Sequence, residues 1–121
     1  MTGVRISHVM LDSRDPEALA PFWCGLLGTA IASRFDDGRF VFLEPTGEGI
    51  PAIGIQWVPE PKAVKNRMHV DLEVDDLQEW TRWVRRNGGS RIADRRTAGV
   101  HWRVMADPEG NEFCLVPRAQ D

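Results

Sequence analysis

Residues 66–76 read Asn-Arg-Met-His-Val-Asp-Leu-Glu-Val-Asp-Asp and alternate between apolar and polar side chains. The apolar row consists of Met68, Val70, Leu72 and Val74. Alternation with a period of two is typical of a β-strand that buries one face. The sequence therefore predicts a strand at 67–74 whose apolar row packs beneath a helix. The opposite row, which includes His69, then lies on a face that no helix covers.

A second stretch of the same kind lies near the amino terminus. Residues 4–12, Val-Arg-Ile-Ser-His-Val-Met-Leu-Asp, place His8 where the first stretch has His69. Both stretches lead into a helix, and Glu-Pro-Thr-Gly at 44–47 aligns with Asp-Pro-Glu-Gly at 107–110. This agreement between two stretches of one chain indicates an internal repeat.

Each repeat contains the signals of one βαβββ unit. Asp15-Pro16 and Asp76 are N-cap signals for two helices, which end near glycines at 28 and 88–89. Short strands follow at about 29–35, 39–44 and 51–58, and again at about 91–95, 100–106 and 111–116. We predict an α+β fold in which two βαβββ repeats form a curved eight-stranded sheet cup with helices outside. The single domain spans 1–121, with repeat one at about 4–58, a linker at 59–66 and repeat two at about 67–117.

Composition excludes several classes of partner. The 121 residues carry a net charge of −3, and the pI is near 5.6, which argues against a nucleic-acid or membrane partner. No apolar run approaches the roughly 18 residues of a spanning helix, and the first residues lack a secretory leader. Two cysteines make no disulfide framework. A reduced, cytoplasmic protein is the expected class.

The two repeats together predict a shared binding surface. If both sheets turn their open faces toward one hollow, two polar side chains from each repeat converge there. These are His8 and Gln56 from the first repeat and His69 with Glu112 or Cys114 from the second.

The chain resembles a known superfamily at these motifs. The motifs are the strand histidine His8, the helix pattern Phe-Trp-x-x-x-Leu-Gly at 22–28, the histidine strand at 69–76, and Asp-Pro-Glu-Gly-Asn-Glu-Phe at 107–113. Together they resemble the vicinal oxygen chelate superfamily of glyoxalase I, bleomycin-resistance proteins and extradiol dioxygenases. The resemblance covers about residues 4–117. Within the superfamily, the chain most resembles the small single-domain glyoxalase-like proteins. It is specific for a fold, which hosts many reactions.

In metal-dependent members of this superfamily, each copy supplies one ligand from its first strand and one from its fourth. The resemblance places His8 and His69 at the first-strand positions, and Gln56 and Cys114 at or near the fourth-strand positions, where the family carries Glu. It implies a divalent ion, Zn, Ni, Mn or Fe, with Glu112 moving a proton in a lyase or isomerase reaction. Imidazole and thiolate are themselves suitable zinc ligands.

A metal-free alternative stays open for the same residues. His8 and His69 are then remnants of an ancestral site, hydrogen-bonded to Asp71, Glu73 or water. Cys114 is then a small core residue rather than a reactive thiol.

Further side chains are candidates for contact with a ligand, because aromatic groups line pockets and charged groups orient polar substituents. They are Phe42, Trp57, Arg67, His101, Trp102 and Arg103. Simple alternation instead turns Trp57 toward the helix side, and a solvated position is the alternative for His101 and the arginines.

Three functions are consistent with this sequence. The first is a glyoxalase-like protein that binds a small polar or aromatic metabolite, with a metal-dependent lyase or isomerase activity. The second is a metal-free protein that binds or sequesters a small molecule such as an antibiotic. The third is a subunit whose role is mainly association, since free sheet edges suit a homodimer, which the superfamily resemblance also implies.

Overall fold

The computed structural model describes residues 3–118, and the chain divides into two compact units, Met1–Pro61 and Lys62–Asp121. Unit 1 contains β1 (His8–Ser13), α1 (Pro16–Leu27), β2 (Ile31–Phe35), β3 (Phe40–Leu43) and β4 (Ala52–Trp57). Unit 2 contains β5 (Asp71–Val74), α2 (Leu77–Arg86), β6 (Ser90–Thr97), β7 (Val100–Ala106) and β8 (Glu112–Pro117). The predicted βαβββ repeat is therefore confirmed.

Both units use one sheet topology. The strand orders are β1-β4-β3-β2 in unit 1 and β5-β8-β7-β6 in unit 2. In each sheet the first and fourth strands pair in parallel, and the other pairs are antiparallel. The α+β class is confirmed, and the eight strands are divided between two four-stranded sheets. Neither helix of residues 3–118 is long and apolar enough to cross a membrane.

Helix α1 begins and ends where the sequence predicts. The Asp15 side chain accepts a hydrogen bond from the Ala18 amide at 3.2 Å, and Gly28 ends the helix with a left-handed φ of 66°. An apolar stripe on the helix is buried toward β3 and β4. It consists of Leu19, Phe22, Trp23 and Leu26. Each such side chain stabilises the fold by about 1.5–3 kcal/mol through burial.

Helix α2 is more polar and covers the sheet of unit 2 with a narrower face. Asp76 accepts from the Glu79 amide at 3.0 Å, as the N-cap prediction requires. Val84 is fully buried on the inner face. Beneath it, Met105, Phe113 and Leu115 of β7 and β8 are also fully buried. Phe113 and Leu115, two residues apart on β8, therefore share its helix-facing side.

The first strand of each repeat is shorter than predicted. Strand β5 begins at Asp71 rather than at 67, and the Met68 side chain is 83% exposed, not buried. The parallel register pairs Asp71 with Cys114, so residues before 69 would lie opposite the turn that precedes β8. Strand β1 likewise begins at His8 rather than at 4, and its partner strand is preceded by Pro51, which lacks an amide donor.

Candidate functional site

Unit 1 carries a row of aromatic rings on the sheet face opposite α1. His8 and Phe42 meet edge to face with ring centroids 5.0 Å apart. Phe42 meets Phe35 in the same way at 5.8 Å. Edge-to-face geometry suits the quadrupoles of aromatic rings, so three strands, β1, β3 and β2, present one continuous aromatic surface.

A hollow of about 800 Å³ lies over this row. Its other apolar lining comes from the segment between β3 and β4, including Pro45, Ile50 and Pro51. Its polar lining comes from Arg5, Ser7 and Ser33, together with His8. Phe42, predicted as a ligand contact, therefore lines a real cavity of the size that holds small molecules.

The packing of Met10 and Phe42 on the open face of the sheet requires a glycine at position 54. Gly54 of β4 faces Met10, and a Cβ at Gly54 would collide with the Met10 thioether and approach Phe42 Cδ1 to 3.1 Å. The absence of a side chain lets Met10 lie across the strand, and Phe42 stays in position. Glycine within a strand commonly marks such a close approach.

Gln56 does not lie beside His8. His8 pairs with Ala52 and Gln56 pairs with Asp12, so the two predicted ligands are four register positions apart, about 13 Å along the strands. The Gln56 amide nitrogen instead donates to Asp12 Oδ1 at 2.9 Å. The structure of unit 1 therefore does not bring these two metal candidates together.

Unit 2 brings two predicted metal ligands together and adds a third. His69 Nε2 lies 3.2 Å from Asp71 Oδ1. The ligand atoms of His69, Asp71 and Cys114 all lie within 4.8 Å of one another. Asp71 and Cys114 are direct register partners on β5 and β8. His69 precedes Asp71 by two residues, the spacing that places side chains of an extended chain on the same side.

The surroundings of Cys114 disfavour its thiolate form. The side chain is only 3% exposed. Burial raises the pKa of the Cys114 thiol, and the neighbouring Asp71 carboxylate raises it further by its charge and by accepting a hydrogen bond. A thiol with a raised pKa is a poor nucleophile. Cys24, the other cysteine, is also a free thiol.

Glu112, the predicted proton-transfer residue, is held by the segment that precedes β5. The Asn66 amide donates to Glu112 Oε2 at 3.0 Å, and Lys62 Nζ lies 3.0 Å from the same oxygen. These contacts, with Lys65 at 3.8 Å from Oε1, hold the pKa of Glu112 below its ordinary value, the Asn66 hydrogen bond contributing most. A paired carboxylate with a lowered pKa anchors this segment and is a weak base.

A second hollow of about 410 Å³ lies on the open face of the unit 2 sheet. Trp102, Val104 and Cys114 contribute lining from β7 and β8. Lys65, Asn66, His69 and Glu112 line one side, and Ile92 and Arg95 of β6 line the other. Trp102, predicted as a ligand contact, therefore lines a cavity as Phe42 does.

The remaining predicted contacts lie elsewhere. Arg103 and His101 project from the face of β7 opposite to that of Trp102, as strand alternation requires, so contact of either with a ligand stays a prediction. Arg103 is 4% exposed and donates to Asp94 at 2.7 Å and to Thr81 of α2 at 2.9 Å. His101 Nε2 lies 3.3 Å from Asp94 Oδ1.

Trp57 and Arg67 line neither of these two hollows. Trp57 is 43% exposed, and its ring lies 5.4 Å from the Arg39 guanidinium carbon in a cation–π contact. Arg67 is exposed in the segment before β5. The predictions of ligand contact at these two positions have no support from the described cavities.

Sequence reasoning missed two side chains of these sites and the role of a third. Asp71, expected only as a hydrogen-bond partner of a histidine, joins the possible metal ligands, and the signal for this role was its i, i+2 spacing from His69. Phe35 joins the aromatic row, and Arg95 lines the hollow of unit 2. Their faces follow from register partners, Phe40 for Phe35 and Trp102 for Arg95, which the sequence of one strand alone does not reveal.

Both repeats of the chain match a known protein family. The family model described as "Glyoxalase-like domain" matches residues 8–116. Among curated proteins, no sequence matches the chain significantly. A glyoxalase/bleomycin resistance protein/dioxygenase family enzyme from Burkholderia phytofirmans PsJN has a similar structure. Its TM-score is 0.74 at 20% identity, over 93% of this chain and 98% of that one.

Two further solved structures resemble the chain. An antibiotic binding protein from Streptomyces sp. CB03234 matches with a TM-score of 0.70 at 17% identity, over 98% of this chain and 99% of that one. Lactoylglutathione lyase from Agrobacterium tumefaciens matches with a TM-score of 0.66 at 16% identity, over 94% and 93%. At these identities the likeness shows a shared fold, and one fold serves several activities.

Proposed function

The chain belongs to the glyoxalase-like domain family, of the vicinal oxygen chelate type, and we propose that it binds a small aromatic molecule in the hollow of unit 1. The observation that carries this proposal is the edge-to-face row of His8, Phe42 and Phe35. Such a row offers a planar ligand an apolar surface, with polar groups at its border to orient it.

The polar groups of unit 1 favour binding over proton-transfer chemistry. His8 Nδ1 lies 3.2 Å from Ser7 Oγ, at one end of the β1–β4 pair, and Gln56 is bonded to Asp12 at the other end. General acid–base catalysis needs a side chain within hydrogen-bond reach of the reacting group. The fold-level likeness to an antibiotic binding protein supports the same class of function.

The test of this proposal is loss of affinity in Phe42→Ala. With 2-naphthol as the probe, we expect calorimetric titration to give an affinity about tenfold weaker than that of the unmodified protein, because a ring–ring contact and its buried area are lost. Trp57→Ala is the matched control, since it removes an aromatic residue outside the hollow and should leave the affinity unchanged. Equal affinity in Phe42→Ala and the unmodified protein would contradict the proposal.

A metal-dependent lyase is the second candidate, and the His69, Asp71 and Cys114 cluster favours it. Imidazole, carboxylate and thiolate together are a donor set suited to zinc, so these residues fit the ion that the family implies. A bound divalent ion acts as a Lewis acid toward a substrate oxygen. The lysine-paired Glu112 does not support the proton-transfer step of such a lyase, so the cluster favours metal binding more than turnover.

Zinc binding to this cluster should depend on pH and on Cys114. Because folding raises the Cys114 pKa and a metal binds the thiolate, zinc must displace a proton. We therefore expect zinc affinity to increase as pH rises from about 6.5 to 8, because the thiol proton is lost more easily at higher pH. Competition with a chromophoric chelator measures this affinity.

Two variants and their controls assign the zinc to the cluster. His69→Ala and Cys114→Ser should each weaken zinc binding by at least about tenfold. His101→Ala and Cys24→Ser change the same residue types outside the cluster and should bind as the unmodified protein does. Zinc binding that survives both cluster substitutions would exclude this site.

The homodimer and the cytoplasmic location stay predictions from the sequence.

A further inference from the structure

The hollow of unit 2 differs chemically from the aromatic row of unit 1. Arg95 and Trp102 are direct partners in the antiparallel β6–β7 pair, so both side chains leave the same face of the sheet. Val104 and Cys114 continue this face on β7 and β8. A guanidinium group therefore stands beside an indole ring at the wall of a cavity with a small, apolar floor.

The charges around this hollow leave Arg95 available. Glu112 is already neutralised by two lysines, at 3.0 Å for Lys62 and 3.8 Å for Lys65. Asp71, which lies next to the hollow, is bonded to His69. Within the part of the chain that the structure describes, Arg95 has no acidic partner. An exposed cation without a partner is usually only solvated, but this one lines a cavity.

The neighbouring arginines do not share the position of Arg95 on the open face of the sheet. Arg91 and Arg103 both pair with Asp94, on the helix side of the same sheet. Arg96 pairs in register with His101 and also projects away from the Trp102 side. Arg95 thus supplies the guanidinium group at the β6 wall of the hollow.

We infer that the unit 2 hollow binds a small monoanion with a flat apolar body, such as an aryl carboxylate. The Arg95 guanidinium matches a carboxylate by forming two parallel hydrogen bonds. The Trp102 indole and the Ile92 side chain cover the apolar body of the ligand. The volume of about 410 Å³ accommodates a fused two-ring compound.

A matched pair of probes and a matched pair of variants test this site. The probes are 2-naphthoate and neutral 2-naphthol, titrated calorimetrically in the presence of EDTA so that no metal contributes. We expect Arg95→Gln to weaken 2-naphthoate binding about tenfold, because a charge-assisted contact is lost, and to leave 2-naphthol binding unchanged. Arg96→Gln removes the same charge from the next residue, on the opposite face, and should leave both affinities unchanged.

The remaining outcomes separate this site from the one proposed for unit 1. Trp102→Leu should also weaken 2-naphthoate binding, and thermal unfolding verifies that each variant is folded. If Arg5→Gln weakens 2-naphthoate binding and Arg95→Gln does not, the carboxylate binds in unit 1 and the inference is overturned. Equal weakening by Arg95→Gln and Arg96→Gln reflects net charge alone and also overturns it. Failure of 2-naphthol to bind would refute only the proposal for unit 1.

Discussion

Replacing Arg103 by alanine should lower the free energy of unfolding by about 2 kcal/mol, because the buried Arg103 side chain loses its hydrogen bonds to Thr81 and to the partly exposed Asp94, and a hydrogen bond to a charged group contributes about 1.5–3 kcal/mol. The Arg103 side chain donates to Asp94 and to Thr81, and it thereby ties β6 and β7 to helix α2. Asp94 retains Arg91 and His101 as partners, which places the expected loss at the low end for such pairs. Urea unfolding followed by circular dichroism measures the change.

A control and a pH series distinguish this pair from general loss of charge. Arg82→Ala removes an exposed arginine from α2 and should change stability by less than about 0.5 kcal/mol. The Arg103 hydrogen bond holds the pKa of Asp94 well below its ordinary value of 3.8. A depressed carboxyl pKa gives stability that is complete above the unfolded pKa and is lost as pH falls below it. Asp94→Asn should therefore flatten the loss of stability below about pH 4.

Replacing Asp107 by alanine should cost about 2–4 kcal/mol. Asp107 is 2% exposed, and its carboxylate accepts from the Glu109 and Asn111 amides, each at 2.9 Å, and from the Asn111 side chain at 3.0 Å. Its removal deletes three hydrogen bonds to one carboxylate, two of them from the buried Asn111, and the loss of a hydrogen bond to a charged group costs about 1.5–3 kcal/mol. The midpoint and slope of urea unfolding measure this effect.

The repeat itself provides the control for Asp107. Glu44 occupies the corresponding place in Glu-Pro-Thr-Gly, but its side chain is exposed. Glu44→Ala should therefore leave stability nearly unchanged. A similar loss for Glu44→Ala and Asp107→Ala would show that the turn sequence, rather than the buried carboxylate, determines stability at both places.

Local signals predicted the fold because their causes are local. Asp15 and Asp76 cap helices through hydrogen bonds that span three residues, and Gly28 adopts a left-handed conformation that the helix end requires. The internal repeat then predicted the order of helix and strands in the second unit from that in the first. Strand lengths were less predictable, because β5 extends only as far as β8 offers it partners, and Met68 lies beyond that limit.

The candidate site was less predictable than the fold because it depends on register between strands. Alternation predicted an open-face position for Cys114, and Phe42 and Trp102, named only as aromatic candidates, each line a hollow within their own unit. It could not show that Arg103 satisfies Asp94 and Thr81, since those partners lie on other elements. Nor could it show that Glu112 is paired with Lys62. That His8 and His69 share one hollow stays a prediction.

The parallel pairing of first and fourth strands has a consequence for folding. The second to fourth strands of each unit form a meander of antiparallel strands, whereas β1 and β5 pair with residues 44 and 43 positions away along the chain. Within residues 3–118, each first strand has one neighbour in its sheet and forms an edge. Contacts that close long loops form late in folding. His8 and the His69–Asp71 pair lie at the starts of these first strands, so a ligand or ion held there would also tie each first strand to its distant partner.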